Sequence, residues 1–262
     1  MAEPLVLRSD DGVVAVLTLN RPAKRNALSR SMMHDLEDHL GRTASEPRVR
    51  AVVLTGSGTA FCSGMDLGEA AREASNAEAE EHAVVTLQDY ADLIQKVHTL
   101  PKLTIAAVNG DALAGGAGLM AACDLAVAST TARVGYPEVL RGLVPSTVMY
   151  DLTRLIGDRR SRHLLLTGGL IVADTAREWG LVNLVTEPRK CLPEAILMGK
   201  QMIEAAPKAV AAIKRQLDEV GNRPGNLRGA AAVSAAIRVG DEAQEGVRAF
   251  LEKRLPRWAQ NP

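Results

Sequence analysis

Apolar positions along the chain change period several times, and the changes mark the elements. LVLR, SDDG and VVAVLTL at the start read as two strands joined by a turn, with Asp11 and Gly12 supplying the turn chemistry. From Ser29 to Ala44 the period becomes helical: Ser29 or Ser31 can cap the start, and Met32, Met33, Leu36 and Leu40 share one side. AVVLTG (51–56), LTIAAV (103–108) and LAVA (125–128) are apolar throughout, as strands covered on both faces are. Between them, Leu87, Tyr90, Ile94 and Val97 recur at helix spacing until Pro101 stops the run. This alternation predicts an α/β core opened by a hairpin.

Beyond Pro145 the pattern is mostly helical. PSTVMYDLTRLIG, the stretch after Asp158, ADTAREWG with Gly180 past its end, and several segments beyond Glu187 all read as helices. Pro193 and Pro207 suit first-turn positions, and LVNLVT (181–186) is the one late strand candidate. A GNRPGN loop (221–226) precedes the final helices. The expected organisation is an α/β core over 1–190 carrying a helical C-terminal region over 191–262.

Composition narrows the function classes. With 262 residues and 47% apolar content the chain can bury a substantial core, and its 31 basic residues balance 31 acidic ones. That balance removes the electrostatic argument for a nucleic-acid or membrane-surface partner. Cys62, Cys123 and Cys191 are odd in number and contain no CxxC pair, so neither a disulfide framework nor a zinc site is indicated. The first residues lack the pattern of a secretory leader and no window resembles a membrane span, so a cytoplasmic location is expected.

Four familiar chemistries fail on spacing or on missing partners. Gly116, Gly118 and Ala121 spell GxGxxA, but LTIAAV ends well before them and the following helix is too short for a dinucleotide fold. Cys62 has no histidine in a partner motif, and His34 and His39 are badly spaced for two metal ligands. No GxSxG nucleophile turn occurs. What remains is a pair of glycine-rich loops, TGSGTAFCSGMDL and NGDALAGGAG, each following an apolar strand and leading toward a helix. Backbone amides near a helix start face outward as donors, and one from each loop would form an oxyanion hole for a thioester oxygen becoming an enolate. Equally, the glycines can serve only tight turns and close helix packing.

Six stretches in order carry a family resemblance: LNRPAKRNALS (19–29), LTGSGTAFCSGMDL (54–67), NGDALAGGAGLMAACDLAVAS (109–129), VGYPEVLRGLVP (134–145), LLLTGGLIVADTAREWGLVNLV (164–185) and FLEKR (250–254). Across nearly its whole length the chain resembles the enoyl-CoA hydratase/isomerase, or crotonase, superfamily. The resemblance implies a crotonase-like (ClpP/crotonase) α/β spiral of ββα turns with a C-terminal helical trimerisation region. It also implies an acyl-CoA thioester substrate, no cofactor apart from the coenzyme A within that substrate, and assembly as a homotrimer or as a hexamer of two trimers. By motif matching, the amides of Met65 and Gly115 become the oxyanion donors and Glu138, from GYPEV, the catalytic acid/base. Backbone around Cys62, Ser63, Asp66 and Leu67 would cradle the adenine and pantetheine. Lys24 and Arg25 match a basic pair near the CoA phosphates, and Phe250 and Lys253 match C-terminal residues that in the family reach CoA, often on a neighbouring subunit.

Two positions depart from the pattern. Two-glutamate hydratases carry a second carboxylate three residues after the oxyanion glycine, where this chain has Gly118. The family's PGAGG turn is replaced by PSTVM, placing Ser146 and Thr147 either as helix caps or as hydroxyls that hold a water. The family as a whole points to enoyl-CoA hydration, for which a branched or carboxylated substrate of methylglutaconyl type would bring its own water-ordering group. The single carboxylate taken alone suits delta-isomerisation of a 3-ene to a 2-ene. A catalytically inactive binding subunit is the third reading, disfavoured by Glu138 and both glycine loops.

Overall fold

The computed structural model of the protein describes residues 3–73, 79–220 and 238–254, together with 232, 235 and 236. The opening hairpin joins β1 (Val6–Asp11) to β2 (Val14–Leu19), with Gly12 at φ 64° in the turn. β3 (Ala51–Gly56), β5 (Leu103–Val108), β7 (Leu125–Ser129) and β10 (Leu184–Thr186) extend it as parallel strands into a sheet of order β1-β2-β3-β5-β7-β10. A second sheet, β4-β6-β8-β9, is made of three-residue strands: β4 (Ala60–Cys62), β6 (Asp111–Leu113), β8 (Arg133–Gly135) and β9 (Leu170–Val172).

Three times the chain leaves a strand of the first sheet, makes a short strand in the second and turns into a helix. β3 and β4 lead to α2 (Leu67–Glu73) and α3 (Ala79–Thr99); β5 and β6 lead to α4 (Gly115–Ala122); β7 and β8 lead, through a 3-10 turn at Pro137–Arg141, to α5 (Met149–Thr167). This is the expected spiral of ββα turns.

Both faces of the large sheet are covered, which is why its strands read as unbroken apolar runs. Ala15, Leu17, Leu19, Val52, Leu54, Ala106 and Val108 face a core shared with Met32, Met33, Leu36 and Leu40 of α1 (Arg30–Ser45) and Leu93, Ile94 and Val97 of α3. The alternate residues Val14, Val16, Ala51, Val53, Ile105, Ala107 and Val127 face a second cluster closed by Cys191 and Ala195. Those two belong to α6's successor α7 (Cys191–Lys200), which follows α6 (Ala173–Glu178), so the first helix of the expected C-terminal region packs into the core. Two helices complete the described chain, α8 (Pro207–Val220) and α9 (Asp241–Leu251).

Several local expectations change. Short strands β4 and β6 lie within the two glycine-rich loops, and β8 and β9 are likewise unannounced, because three residues cannot display a period of two. LVNLVT is extended strand only over Leu184–Thr186. Ser29 caps α1, accepting from the Met32 amide at 3.3 Å, but neither Ser146 nor Thr147 caps α5: Val148 holds that position without a side-chain bond. Gly157 (φ 76°, ψ 165°) interrupts α5. Pro207 opens α8 and Pro193 is the third residue of α7, so both stand in first turns as expected. The GNRPGN loop lies outside the described residues. Among those described, no helix is long and apolar enough to cross a membrane.

Packing between spiral turns is tight at the start of α4. A β-carbon on Gly116 would lie 2.7 Å from both the carbonyl carbon and the β-carbon of Cys62 in β4. Because the obstacle is backbone, Gly116→Ala is expected to destabilise the fold by about 1–3 kcal/mol. Urea unfolding checks this: the midpoint falls while the slope is unchanged.

Candidate active site

A cleft of about 440 Å³ opens where the glycine loops, the 3-10 turn after β8 and the segment entering α5 converge. Met65, Gly115 and Glu138 all line it, together with Leu87 and Tyr90 of α3, Val144 to Val148, and Phe250.

Met65 sits in an isolated parallel bridge with Leu28. The two hydrogen bonds of that bridge use its neighbours: Leu28 N donates to Gly64 O at 2.8 Å, and Asp66 N donates to Leu28 O at 2.9 Å. In an extended stretch successive groups alternate sides, so the Met65 N–H is turned away from Leu28. The loop is tied down by its acidic residue. Asp66 Oδ1 accepts from the amides of Gly68 (3.0 Å) and Glu69 (3.1 Å), and Oδ2 accepts from Arg21 Nη2 at 2.9 Å. Burial would raise the Asp66 carboxyl, but the Arg21 guanidinium and those amides outweigh it and hold it below its ordinary value.

The second donor arises differently. Gly115 is the first residue of α4, so its N–H has no place in the helical ladder. Ala114 before it takes φ 53°, ψ −129°, a costly conformation for a residue with a side chain, and its amide is fixed to Gly135 O at 2.9 Å. The Gly115 carbonyl accepts from the Tyr90 hydroxyl at 2.7 Å. The two loops meet at Gly64 (φ 91°), where a β-carbon would lie 3.1 Å from Gly115 N and 2.8 Å from Ala114 Cβ. Among the described residues neither the Met65 nor the Gly115 amide donates to a protein group, and both flank this contact. An unpaired donor of this kind costs about 1–3 kcal/mol if buried, so two on one cleft wall mark a place for an acceptor.

Glu138 lies in the 3-10 turn, closed by Gly142 at φ 67°. Its Oε2 is buried and unpartnered among the described residues. Burial raises its carboxyl from 4.5 to about 7, against the opposing pull of its own amide and of Arg141. Arg141 does not neutralise it by pairing: its guanidinium donates to Pro137 O at 2.9 Å and stacks 4.2 Å above the Phe250 ring. Burial also depresses the Arg141 guanidinium, which the Glu138 carboxylate partly offsets.

The glycine at position 118 has a structural counterpart. A β-carbon there would collide with Val148 Cγ1 and the Tyr90 hydroxyl, and would stand 3.1 Å from Val148 Cβ. The space in which a second carboxylate would begin is therefore filled by the PSTVM segment.

Lys24, Arg25, Ser63, Asp66, Leu67 and Phe250 also line the cleft. Cys62 and Lys253 are not among its lining residues. Cys62 is fully buried under Gly116, with its thiol pushed up to about 12 by burial, and Lys253 is an exposed residue beyond α9. His34 instead approaches Asp89 on the surface, at 3.5 Å. Sequence reasoning missed Tyr90 as a prop for Gly115, Arg141 as a cleft residue and Arg21 as the anchor of Asp66. Arg141, three residues after Glu138 in the same turn, had a usable signal; the other two depend on contacts distant in the chain.

A model of the family described as Enoyl-CoA hydratase/isomerase matches residues 9–261. The chain belongs to this family. A Thermus thermophilus relative is 41% identical over 258 residues, covering 97% of this chain and 100% of the other. Enoyl-CoA hydratase EchA19 of Mycobacterium tuberculosis is 35% identical over 250 residues, 94% of this chain and 93% of its own. Among solved structures, an enoyl-CoA hydratase of Mycobacterium smegmatis shares 38% identity with a TM-score of 0.78, covering 98% of this chain and 100% of its own. The protein is thus an enoyl-CoA hydratase/isomerase family enzyme with the crotonase fold, and an acyl-CoA substrate fits that membership.

The raised Glu138 carboxyl has a stability consequence for the enzyme. Its folded pKa of about 7 exceeds the ordinary 4.5, so folding binds a proton between these values. Stability from this group is complete below about pH 4.5 and is lost as pH rises through about 7. Glu138→Gln, which stays neutral, is expected to raise the melting temperature more at about pH 8 than at about pH 5. Thermal melts of both proteins across that range check the sign.

Proposed function

We propose that the enzyme adds water reversibly to a 2-enoyl-CoA thioester, with Glu138 as the sole acid/base and the amides of Met65 and Gly115 as the oxyanion hole. The observation that carries this reading is one buried carboxyl of raised pKa sharing a cleft wall with two unpaired amides from separate loops. The hydratase names of similar proteins support the direction of the chemistry.

In the forward direction the water oxygen bonds to the β-carbon as one of its protons passes to the Glu138 carboxylate. The double-bond electron pair shifts through the α-carbon to the thioester oxygen, where the two amides receive the developing charge. Collapse of the enolate returns the proton from Glu138 to the α-carbon, so the sum is one water added. A carboxyl poised near neutrality serves both steps, since each protonation state is populated at working pH. Lys24 and Arg25 would meet the CoA phosphates, the Ser63 to Leu67 backbone the adenine and pantetheine, and Phe250 the outer pantetheine.

A second reading rests on Gly118. With Val148 and Tyr90 filling its surroundings, the site has one carboxylate where two-glutamate hydratases have two. Glu138 alone suffices to move a proton between the α- and γ-carbons of a 3-enoyl-CoA, which is delta-isomerisation. The expected assembly into trimers or hexamers belongs to the same proposal, supported by exposed apolar side chains on α7 and α8, among them Leu197, Ile213 and Leu217.

A panel of short, branched and carboxylated acyl-CoAs with 2- or 3-unsaturation, assayed separately for water addition and double-bond migration, decides between the readings. Faster hydration is expected. Glu138→Gln is expected to lower α-proton exchange of a saturated acyl-CoA in D2O by about 100-fold or more while leaving CoA affinity nearly unchanged. Exchange that persists at the wild-type rate rejects the assignment.

A further inference from the structure

We infer that the Thr147 hydroxyl takes the place of the second carboxylate and orients the attacking water. The inference rests on the hydratase reading above, and three observations lead to it. First, Thr147 has no structural task that explains a hydroxyl. The sequence suggests an N-cap, but Val148 occupies the N-cap of α5 and no side-chain cap bond forms there. Second, the hydroxyl is stranded: Thr147 is 4% exposed, and its Oγ1 is buried without a partner among the described residues. Third, it stands on the wall of the cleft that also holds Glu138, whose Oε2 is likewise buried and unpartnered. Buried polar atoms are nearly always paired within a folded protein, and three that are not among the described residues, Thr147 Oγ1, Glu138 Oε2 and Arg141 Nε, belong to residues lining this one cleft and point to a shared hydrogen-bonding guest.

The position suits the role. Val148, the next residue, is the side chain that covers Gly118, so the segment displacing the second carboxylate also places Thr147 on the cleft wall. A water must be held by both its protons to aim a lone pair at the β-carbon. Glu138 accepts one and removes it in the reaction; Thr147 Oγ1 accepts the hydrogen bond of the other, which stays on oxygen. No bond to Thr147 forms or breaks, so it is a positioning residue. Threonine cannot hold a charge at this pH, and this leaves Glu138 as the only group that carries the proton.

The test compares hydration with α-proton exchange. Hydration needs an oriented water, whereas exchange of the saturated acyl-CoA needs only Glu138 and the oxyanion amides. Thr147→Val preserves shape and removes the hydroxyl; it is expected to lower kcat for the best 2-enoyl-CoA of the panel by about 10- to 100-fold, with KM changed little. Exchange of the matching saturated acyl-CoA in D2O should stay within about twofold of wild type, and Thr147→Ser should restore most of the hydration. Thr147→Ala serves if the valine variant does not fold. Unchanged hydration, a parallel fall in hydration and exchange, or a serine variant as slow as valine overturns the inference. Failure of the underlying reading is separable, because it appears as wild-type exchange in Glu138→Gln or as a wild-type enzyme that adds water to no member of the panel.

Discussion

The cleft depends on one contact, the approach of main chain at Gly64 to the Leu113–Gly115 segment. Neither loop presents a functional side chain there. Each presents an amide left over by its own hydrogen-bond pattern, in one case because a bridge uses the neighbours of Met65, in the other because a helix begins at Gly115. Holding two such donors on one wall is unfavourable unless something fixes both loops. The fixing groups are spread over the fold: Asp66 with Arg21 on one side, and on the other the Tyr90 hydroxyl on the Gly115 carbonyl and the Ala114 amide on Gly135. Backbone strain at Ala114 is consistent with a loop whose shape is imposed from outside.

The same economy of partners explains the carboxyl. An acid beside an arginine is ordinarily held ionised, yet Glu138 is pushed to about 7 although Arg141 is three residues away in the same turn. The difference lies in what Arg141 touches. Its guanidinium donates to the carbonyl of Pro137 and lies over the Phe250 ring, so it acts on Glu138 only through space, and burial prevails. Phe250 comes from α9, which means that the C-terminal helix takes part in setting the charge balance of a turn formed by the core.

How much of this was legible in the sequence follows from the range of the interactions. Both faces of β2, β3 and β5 are buried by local apolar runs, so these strands could be read directly, as could the cap at Ser29. The short strands β4, β6, β8 and β9 could not, because their pairing is imposed by the neighbouring turns of the spiral. The glycines were legible as bare backbone but not as to purpose. Gly116 and Gly118 prove to be packing glycines, pressed against Cys62 and against Val148 with Tyr90. Thr147 stands two residues after a proline and precedes a helix, which reads as a cap; the helix starts two residues later, and only the fold reveals the hydroxyl as unpaired among the described residues. Tyr90 was visible as one apolar position on a periodic helix face, its hydroxyl's partner lying 25 residues away.

Gly118 and the PSTVM segment therefore form one structural change. If Gly118 alone distinguished this chain from a two-carboxylate hydratase, the cleft would hold a cavity beside Tyr90 of roughly side-chain size. Val148 closes that space, which removes room for a carboxylate and at the same time fixes where the preceding residue must sit. Close packing makes such changes travel together, since a side chain lost from one wall leaves contacts unmet unless the facing wall moves in. The shape of the cleft is accordingly set by two segments that touch across it, α4 and the entry to α5.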